Sequence, residues 1–206
     1  MVVIRGDSVD FDPETHTYSY DGTIYPSVTT IIKDEWPLNT NFYSRNPGAT
    51  GRGTEIHDLT AKVDRGQDSL DDYIGHKHYR ELHSWKSFVD RVGAAIEVIE
   101  EPFVNVSLKY AGTVDRVMSI DGISTIVDLK SGAAARWHDL QIGAYALSLD
   151  PIPEAGYAAY IRPTGGMRMV KVDLQRAMKA WQSLMDWENT KSGEGLLQWE
   201  LYRSSR

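Results

Sequence analysis

One β-hairpin constrains the fold of this chain more than any other stretch of its 206 residues. The segment YAGTVDRVMSIDGISTIVDLK, residues 110–130, consists of two apolar runs on either side of Asp121–Gly122. An Asp-Gly pair between two such runs favours a tight turn between antiparallel strands. Because Asp115 and Asp128 each lie about six residues from that turn, the hairpin predicts that their carboxylates are near neighbours on adjacent strands.

The periodicity of the remaining chain predicts an α/β fold. Apolar residues at spacings of three and four predict helices over 54–66, 76–95, 133–149 and 175–193. A period of two predicts strands over 96–108, 110–120, 123–131, 156–163 and 167–174. The order helix, three strands, helix, two strands and helix indicates a central mixed β-sheet flanked by helices.

The two ends of the chain are expected to extend this core. Alternating apolar residues around Asp21–Gly22 predict an N-terminal β-hairpin, and Ser27 is a suitable N-cap for a short helix through Ile32. Residues 37–51 contain proline and glycine breakers, which indicate a loop or broken helix. We expect one domain, with an N-terminal extension (1–50), a catalytic core (51–190) and a C-terminal tail (191–206). For the tail, an edge strand and a loosely packed segment both stay open.

Composition excludes several classes of protein. The chain contains no cysteine, which excludes a disulfide scaffold, an all-cysteine zinc site and an iron–sulfur cluster held by cysteines. It has no signal-like N-terminal run and no apolar window of the roughly 18 residues that a membrane span needs, so we expect a cytoplasmic protein without a membrane partner. A formal net charge of −7 argues against a uniformly basic nucleic-acid-binding surface, but it is compatible with carboxylates around a cation beside a local basic rim.

The side chains of the central hairpin have the chemistry of a metal-dependent phosphodiesterase. Two adjacent carboxylates, Asp115 and Asp128, repel each other unless a cation lies between them, and hard oxygen ligands suit Mg²⁺ or Mn²⁺. Lys130 follows Asp128 by two positions and therefore shares its strand face. An ammonium there can neutralise charge on a phosphate while the metal ion activates water. For an isolated motif of this kind, a surface pair of Asp115 with Arg116 and a solvated strand end are the simpler alternative.

Four motifs in order along the chain resemble those of the PD-(D/E)xK nuclease superfamily, in its RecB-like, phage-type exonuclease branch. They are GTEIH at 53–57, GTVD at 112–115, DLK at 128–130 and QIGAY at 141–145, and YPSVTTII at 25–32 also resembles a segment of this group. The resemblance covers roughly residues 25–165 and implies a restriction-endonuclease-like core. The branch members that hold an iron–sulfur cluster use four cysteines, from which this chain departs.

The resemblance also implies a set of metal ligands. His57, Asp115, Asp128 and the backbone carbonyl of Leu129 are expected to bind Mg²⁺ or Mn²⁺. Related nucleases place a further acidic residue at the start of the first core strand. Alternation allows either Glu100 or Glu101 to face the site; we favour Glu101, and a solvated strand start is the alternative.

Gln141 and Tyr145 complete the catalytic set that the resemblance implies. They are four residues apart and share a helix face, so both can hydrogen-bond to the phosphate or to the surroundings of Lys130. Core packing of Tyr145 and a surface position for Gln141 are the alternatives.

Three further residues are candidates for DNA contact. Arg52 precedes the predicted helix that carries His57, and helix N-termini attract anions. Arg136 and Trp137 lead into the helix of Gln141 and suit backbone contact and base stacking. Two alternatives stay open: the arginines are only solvated, and Trp137 is buried in the core. His76, His78 and His83 lack matching carboxylates in the sequence, and GATGRGT lacks the lysine of a phosphate-binding loop.

The function implied by the resemblance is a Mg²⁺- or Mn²⁺-dependent DNA nuclease. It would be an exonuclease of phage or bacterial recombination or repair, acting in the bacterial or phage-infected cell. DNA is the expected substrate, and a recombinase or a single-strand annealing protein is a candidate partner. Two alternatives stay open: a catalytically silent nuclease fold that binds DNA or a protein, and a nuclease that acts on RNA.

Overall fold

A computed structural model describes residues 1–35, 49–190, 199–202 and 204. The strands are β1 (Val3–Arg5), β2 (Asp10–Asp12), β3 (Thr17–Tyr20), β4 (Thr23–Tyr25), β5 (Ala95–Asn105), β6 (Tyr110–Ile120), β7 (Ile123–Lys130), β8 (Ala155–Ile161) and β9 (Met167–Val172). The helices are α1 (Val28–Glu35), α2 (Ala49–Asp64), α3 (Tyr79–Val92), α4 (His138–Ala146) and α5 (Leu174–Thr190), with short 3₁₀ turns at Gly6–Ser8 and Leu70–Tyr73.

The centre of the fold is a six-stranded mixed sheet in the order β1-β5-β6-β7-β8-β9. The β5, β6 and β7 strands form an antiparallel meander, and α4 then crosses over so that β8 pairs with β7 in parallel. A parallel connection needs a crossover of this kind, which brings the carboxyl ends of β7 and β8 to the same edge. The predicted architecture, a mixed sheet flanked by helices with an N-terminal hairpin, is confirmed.

Two apolar clusters hold helices against opposite faces of the sheet. Trp85 of α3 packs with Val127 of β7 in one cluster. Trp181 of α5 belongs to the larger cluster, which contains Ile126 of β7 and most of the buried residues of α4. Adjacent residues of β7 therefore contribute to different layers, as the period of a strand requires.

The N-terminal extension forms a small three-stranded sheet, β2-β3-β4. The predicted turn at Asp21–Gly22 is confirmed, since Tyr20 pairs with Thr23. Ser27 caps α1 as expected, because its Oγ accepts the Thr30 N–H at 3.1 Å. The helix continues to Glu35, three residues beyond the expected end.

The helix that carries His57 begins earlier than the sequence predicts. Thr54 lies inside α2 and does not cap it. Gly51, which we interpreted as a breaker, and Gly53 are both helical. A Cβ added at Gly53 would lie 3.3 Å from the Ser131 Oγ, so a small residue lets α2 approach the end of β7 closely. Most of the loop predicted over 37–51 lies outside the described residues.

Both expectations for the C-terminal tail are wrong where the structure describes it. Residues 199–202 are helical, and Trp199 and Tyr202 are buried in the larger cluster beside α5. A spacing of three places both aromatic rings on one helical face, which explains why this segment is neither an edge strand nor loosely packed. The rest of the tail, including 191–198, lies outside the described residues. No helix in the described part of the chain combines the length and the apolar character that crossing a bilayer requires.

Candidate metal centre

The register of the central hairpin brings the two predicted carboxylates together. Arg116 pairs with Val127, and the same register continued by one residue places Asp115 opposite Asp128. Both side chains are buried among apolar neighbours. The Asp115 Oδ2 accepts the N–H of Leu129 at 2.7 Å, which ties the carboxylate of β6 to the end of β7.

A third carboxylate extends this row onto β5. Glu101 pairs with Val114, so the next register position places Glu100 opposite Asp115. The backbone of Glu100 has a φ of 46°, in the left-handed region that side-chain-bearing residues rarely adopt. Such a conformation costs about 1–3 kcal/mol and is found mainly at functional sites, where the surroundings hold it.

His57 of α2 faces this row of carboxylates. Its Nδ1 lies 3.2 Å from the Glu100 Oε1 and 3.6 Å from the Asp115 Oδ2. Its Nε2 lies 3.0 Å from the backbone carbonyl oxygen of Leu129. The candidate ligand atoms of His57, Glu100 and Asp115 all lie within 4.8 Å of one another. Nitrogen and hard oxygen donors therefore converge as a divalent cation requires.

The electrostatics of this group favour positive charge. Burial alone would lower the pKa of His57, but the charge of Asp115 and the contact with Glu100 outweigh it and raise the pKa to about 9. Burial raises the pKa of Asp115 to about 7, and the neighbouring charges of Asp128 and Glu100 act in the same direction, against that of His57. The carboxylates thus draw a positive charge into their midst, which a divalent cation supplies more strongly than an imidazolium.

Asp128 supports the fit of a cation most directly. Its side chain is 1% exposed, and neither carboxylate oxygen accepts a hydrogen bond from the described residues. The Lys130 Nζ lies 2.5 Å from its Oδ2, but that ion pair lacks hydrogen-bond geometry. A buried carboxylate in this condition is costly unless a further group binds it. The donor set of this site therefore fits a divalent metal ion.

Lys130 is held in place by two residues of α4. Its Nζ donates to the Gln141 Oε1 at 2.9 Å, and the Gln141 Nε2 donates to the Tyr145 hydroxyl at 2.7 Å. The predicted sharing of one helix face is therefore correct. Tyr145 also packs in the core, where it explains the glycine of the GTVD motif: a Cβ added at Gly112 would lie 2.8 Å from the Tyr145 ring.

The choice of Glu101 as a metal ligand is wrong. The Glu101 Oε1 faces the Arg5 Nε at 3.7 Å, on the edge of the sheet at β1. Because Glu101 pairs with Val114, it lies on the opposite strand face from the residues that neighbour Asp115. Glu100 takes its place at the site.

An arginine that the sequence did not single out fixes Glu100. Arg116 is fully buried, and its Nη1 donates to the Glu100 Oε1 at 2.8 Å while its Nε donates to the Asp64 Oδ2 at 2.7 Å. The Trp85 Nε1 also donates to Asp64, at 2.8 Å from Oδ2. The expected alternative, a surface pair between Asp115 and Arg116, is therefore wrong.

The residues expected to contact DNA divide into two groups. The Arg52 Nη1 donates to the Ser131 carbonyl at 2.9 Å, and its Nη2 donates to the buried Glu81 at 3.1 Å, so the structure uses Arg52 to join α2 to α3 and β7. Arg136 is exposed and Trp137 half-buried, in the segment between β7 and α4. The Lys130 Nζ lies 5.8 Å from the centre of the Trp137 ring, so Trp137 borders the site.

The histidines near α3 are surrounded differently from the way the sequence suggested. His78 does have carboxylate partners, since its Nε2 lies 3.3 Å from Glu55 and its Nδ1 lies 3.2 Å from Glu81. Lys77 and Arg52 compensate these carboxylates. Within the described ranges, only the group of His57, Glu100 and Asp115 places three candidate ligand atoms close enough to share one ion.

Comparison with known proteins adds little to this geometry. No protein-family model and no curated protein matches the chain. Among solved structures, one named "Crystal structure of SSO0001" matches with 17% sequence identity and a TM-score of 0.32, over 66% of this chain and 76% of that chain. A likeness of that size carries no information about function.

Proposed function

We propose that this chain is a divalent-metal-dependent nuclease that hydrolyses phosphodiester bonds in DNA. The observation that carries the proposal is the row of Glu100, Asp115 and Asp128 across three strands, with Lys130 beside it. The row lies where β7 and β8 present their carboxyl ends, the edge at which α/β sheets commonly bind ligands.

The chain offers a complete set of ligands for one Mg²⁺ or Mn²⁺. His57, Glu100, Asp115, Asp128 and the carbonyl oxygen of Leu129 would hold it, in agreement with the donors that the resemblance implies except for the exchange of Glu101 for Glu100. When bound, such an ion polarises a phosphate oxygen and lowers the pKa of coordinated water.

The protein side chains perform the remaining tasks. The ammonium of Lys130 stabilises negative charge that develops on the phosphate, because a fixed cation in a partly buried site needs little reorganisation. Gln141 holds that ammonium in position, and Tyr145 holds Gln141. Arg116 orients Glu100, because its Nη1 donates to the same oxygen, Oε1, that faces the His57 Nδ1. Lys130 is therefore the catalytic residue of the chain, and the other three are positioning residues.

The test is digestion of end-labelled linear duplex beside closed circular DNA, with Mg²⁺, Mn²⁺ or EDTA. We expect cleavage only with metal, and loss of cleavage in Asp128→Asn and Lys130→Met. Asp121→Asn is the matched control, because it makes the same chemical change in the exposed turn of the same hairpin, at a positive φ that asparagine tolerates. Full activity in Asp128→Asn or Lys130→Met would contradict the proposed site.

The finer parts of the proposal depend on the substrate arms of the same assay. The resemblance favours an exonuclease used in phage or bacterial recombination or repair, which would degrade the linear duplex and leave the closed circle intact. Cleavage of the circle would instead indicate endonuclease activity, and preference for RNA of the same sequence would change the substrate class. Binding without cleavage under every metal would indicate the catalytically silent alternative, against which the retention of Asp115, Asp128 and Lys130 argues.

A further inference from the structure

Two stretches of this acidic chain contain no carboxylate. Residues 129–138 include Lys130 and Arg136, residues 155–172 include Arg162, Arg168 and Lys171, and neither stretch contains Asp or Glu. In a chain with a formal net charge of −7, such segregation concentrates positive potential wherever the two stretches meet.

The sheet brings these two stretches together at the candidate site. Lys130 of β7 pairs with Tyr160 of β8, and Tyr160 pairs with Arg168 of β9. Directly paired residues of neighbouring strands lie on the same face, with strands about 4.8 Å apart. Lys130, Tyr160 and Arg168 therefore form a continuous row that leads away from the metal centre along the sheet.

Arg168 is held so that its hydrogen-bond donors face outward. Its guanidinium carbon lies 5.3 Å from the centre of the Tyr160 ring, and Arg168 is exposed. Because the Ala135 N–H donates to the His138 Nδ1 at 3.3 Å, that nitrogen is an acceptor, and the Tyr160 hydroxyl donates to it at 2.7 Å. The hydrogen bond to His138 thus holds the Tyr160 ring in place beneath Arg168. A guanidinium that stacks on an aromatic face keeps its planar edge available for phosphate.

Arg162 occupies the turn that follows β8, and this turn is rigid. The Arg162 N–H donates to the Gly166 carbonyl at 3.1 Å, and the Gly166 N–H donates to the Ser84 Oγ of α3 at 2.8 Å. Gly165 and Gly166 have φ values of 87° and 82°, a conformation that requires glycine. The turn therefore presents Arg162 from a backbone held by hydrogen bonds, and Gly165 of the same turn lies close to Arg80 of α3.

Neither Arg162 nor Arg168 forms an ion pair with a carboxylate of the described residues. Lys77 and Lys86 differ in this respect, since Lys77 pairs with Glu55 and Lys86 pairs with Asp90. The arginines of the β8–β9 hairpin thus keep a charge that an external anion can neutralise.

We propose that the β8–β9 hairpin, through Arg162 and Arg168, binds the phosphate backbone of the nucleic acid next to the phosphate at the metal centre. The inference rests on the proposed function in taking a nucleic acid as the partner. It adds the direction of the bound strand, from Lys130 past Tyr160 to the β8–β9 turn. Backbone contacts of this kind position a substrate without reading its sequence.

The test measures binding without cleavage. Fluorescence anisotropy in EDTA follows labelled single-stranded DNA of about 16 nucleotides, its duplex and RNA of the same sequence, between about 50 and 200 mM KCl. We expect Arg162→Gln/Arg168→Gln to weaken binding about tenfold at the lower salt concentration and to reduce the slope of log K against log salt by about 1 per arginine. Lys171→Gln is the matched control, because Lys171 lies three positions from Arg168 on the same strand and hence on the other face.

Arg168→Lys keeps the charge and loses the stacked planar edge. We expect it to retain the salt slope with weaker binding, whereas damage to the fold would abolish binding and lower the thermal unfolding midpoint. An unchanged affinity and salt slope in the double variant, or an equal loss in Lys171→Gln, would overturn the inference. The failure of this inference is distinguishable from that of the nuclease proposal. Binding that depends on the β8–β9 hairpin, without cleavage by the wild-type protein, contradicts only the nuclease proposal. Cleavage by the wild-type protein, together with an unchanged salt dependence of binding in the double variant, contradicts only the role of the hairpin. The DNA and RNA arms identify the source of the backbone.

Discussion

Two carboxylates with buried side chains, Asp64 and Asp128, differ in what compensates their charge. Asp64 accepts hydrogen bonds from the Arg116 Nε at 2.7 Å and from the Trp85 Nε1 at 2.8 Å. Asp128 accepts none from the described residues and has only the ion pair with Lys130. Contacts within the protein account for Asp64: Arg116 and Trp85 oppose the effect of burial, which still raises the pKa of this carboxyl above its ordinary value. Under the proposed function, a bound metal ion compensates Asp128, and this would distinguish a functional carboxylate from a structural one.

Glu100 belongs to both groups. It accepts from the Arg116 Nη1 at 2.8 Å and lies 3.2 Å from the His57 Nδ1. Its strained backbone conformation is held between the structural ion network and the metal centre. The structural network therefore serves as the support that orients one ligand of the site.

The variant that tests the difference between Asp128 and Asp64 most directly is Asp128→Asn. We expect cleavage to fall at least about 10³-fold, equivalent to about 4 kcal/mol of transition-state stabilisation, because the site loses a ligand charge. The free energy of unfolding in EDTA should stay the same or rise, because the variant removes the repulsion between Asp128 and Asp115 while Lys130 keeps its hydrogen bond to Gln141. Initial cleavage rates and urea unfolding of the same preparation measure both. A large loss of stability would mean that Asp128 is structural after all.

The converse change is Arg116→Met. It leaves the buried Asp64 carboxylate without its cation and takes from Glu100 one of two cationic partners, the other being His57, so we expect the free energy of unfolding to fall by about 3–5 kcal/mol. Arg65→Met is the matched control, because the exposed Arg65 side chain donates to the Ile99 carbonyl and pairs with no carboxylate of the described residues. This variant should cost less than about 1 kcal/mol. Urea unfolding in EDTA measures both variants. If Arg116→Met does not fold, Asp64→Asn tests the same network, and a cost as small as that of Arg65→Met would contradict the distinction.

Metal binding should also distinguish Asp128 of the proposed metal centre from Asp64 of the ion network. Mg²⁺ or Mn²⁺ at about 100 times its dissociation constant should stabilise the wild-type protein by about 2.7 kcal/mol, because it binds the folded state. The Asp128→Asn variant should lose most of that stabilisation, and Asp64→Asn should keep most of it. Urea unfolding with and without metal provides the measurement. Equal losses in the two variants would show that the ion network and the metal centre are one site.

The sequence predicted the parts of this site that local rules determine. The Asp-Gly turn at 121–122 and the equal lengths of its two arms set the register of Asp115 and Asp128. The shared helix face of Gln141 and Tyr145 followed from their spacing of four, whereas their place at the site was implied by the resemblance. The choice of Glu101 over Glu100 failed because the connection 106–109 between β5 and β6 carries no such turn dipeptide, so nothing local indicated the register of β5.

Longer-range features could not be predicted in this way. Asp64 and Arg116 are 52 residues apart and meet only after α2 packs across the sheet. The helical residues 199–202 depend on a site for Trp199 in the larger cluster. In contrast, the sequence itself shows that 155–172 contains no carboxylate. The proposal that this hairpin binds phosphates depends on the structure, which places it beside Lys130.

The smallest of the expected effects concerns a buried histidine, which the folded protein holds in its neutral form. His138 is 4% exposed and lies next to Tyr160, and burial together with the charge of Lys130 lowers its pKa to about 3. Above pH 6.5 it is neutral in both states and contributes nothing to the pH dependence. Below that, the unfolded chain binds a proton that the folded protein does not bind, so the free energy of unfolding falls with decreasing pH, by about 2 kcal/mol at pH 5.

The quantity to measure is the difference in the free energy of unfolding between wild type and His138→Gln, by urea unfolding from pH 7 to 5 in EDTA, because the other titrating groups are common to both. The exposed His83→Gln variant should follow the wild type, and a His138→Gln curve parallel to the wild type would show that His138 is compensated in its charged form, as Asp64 is.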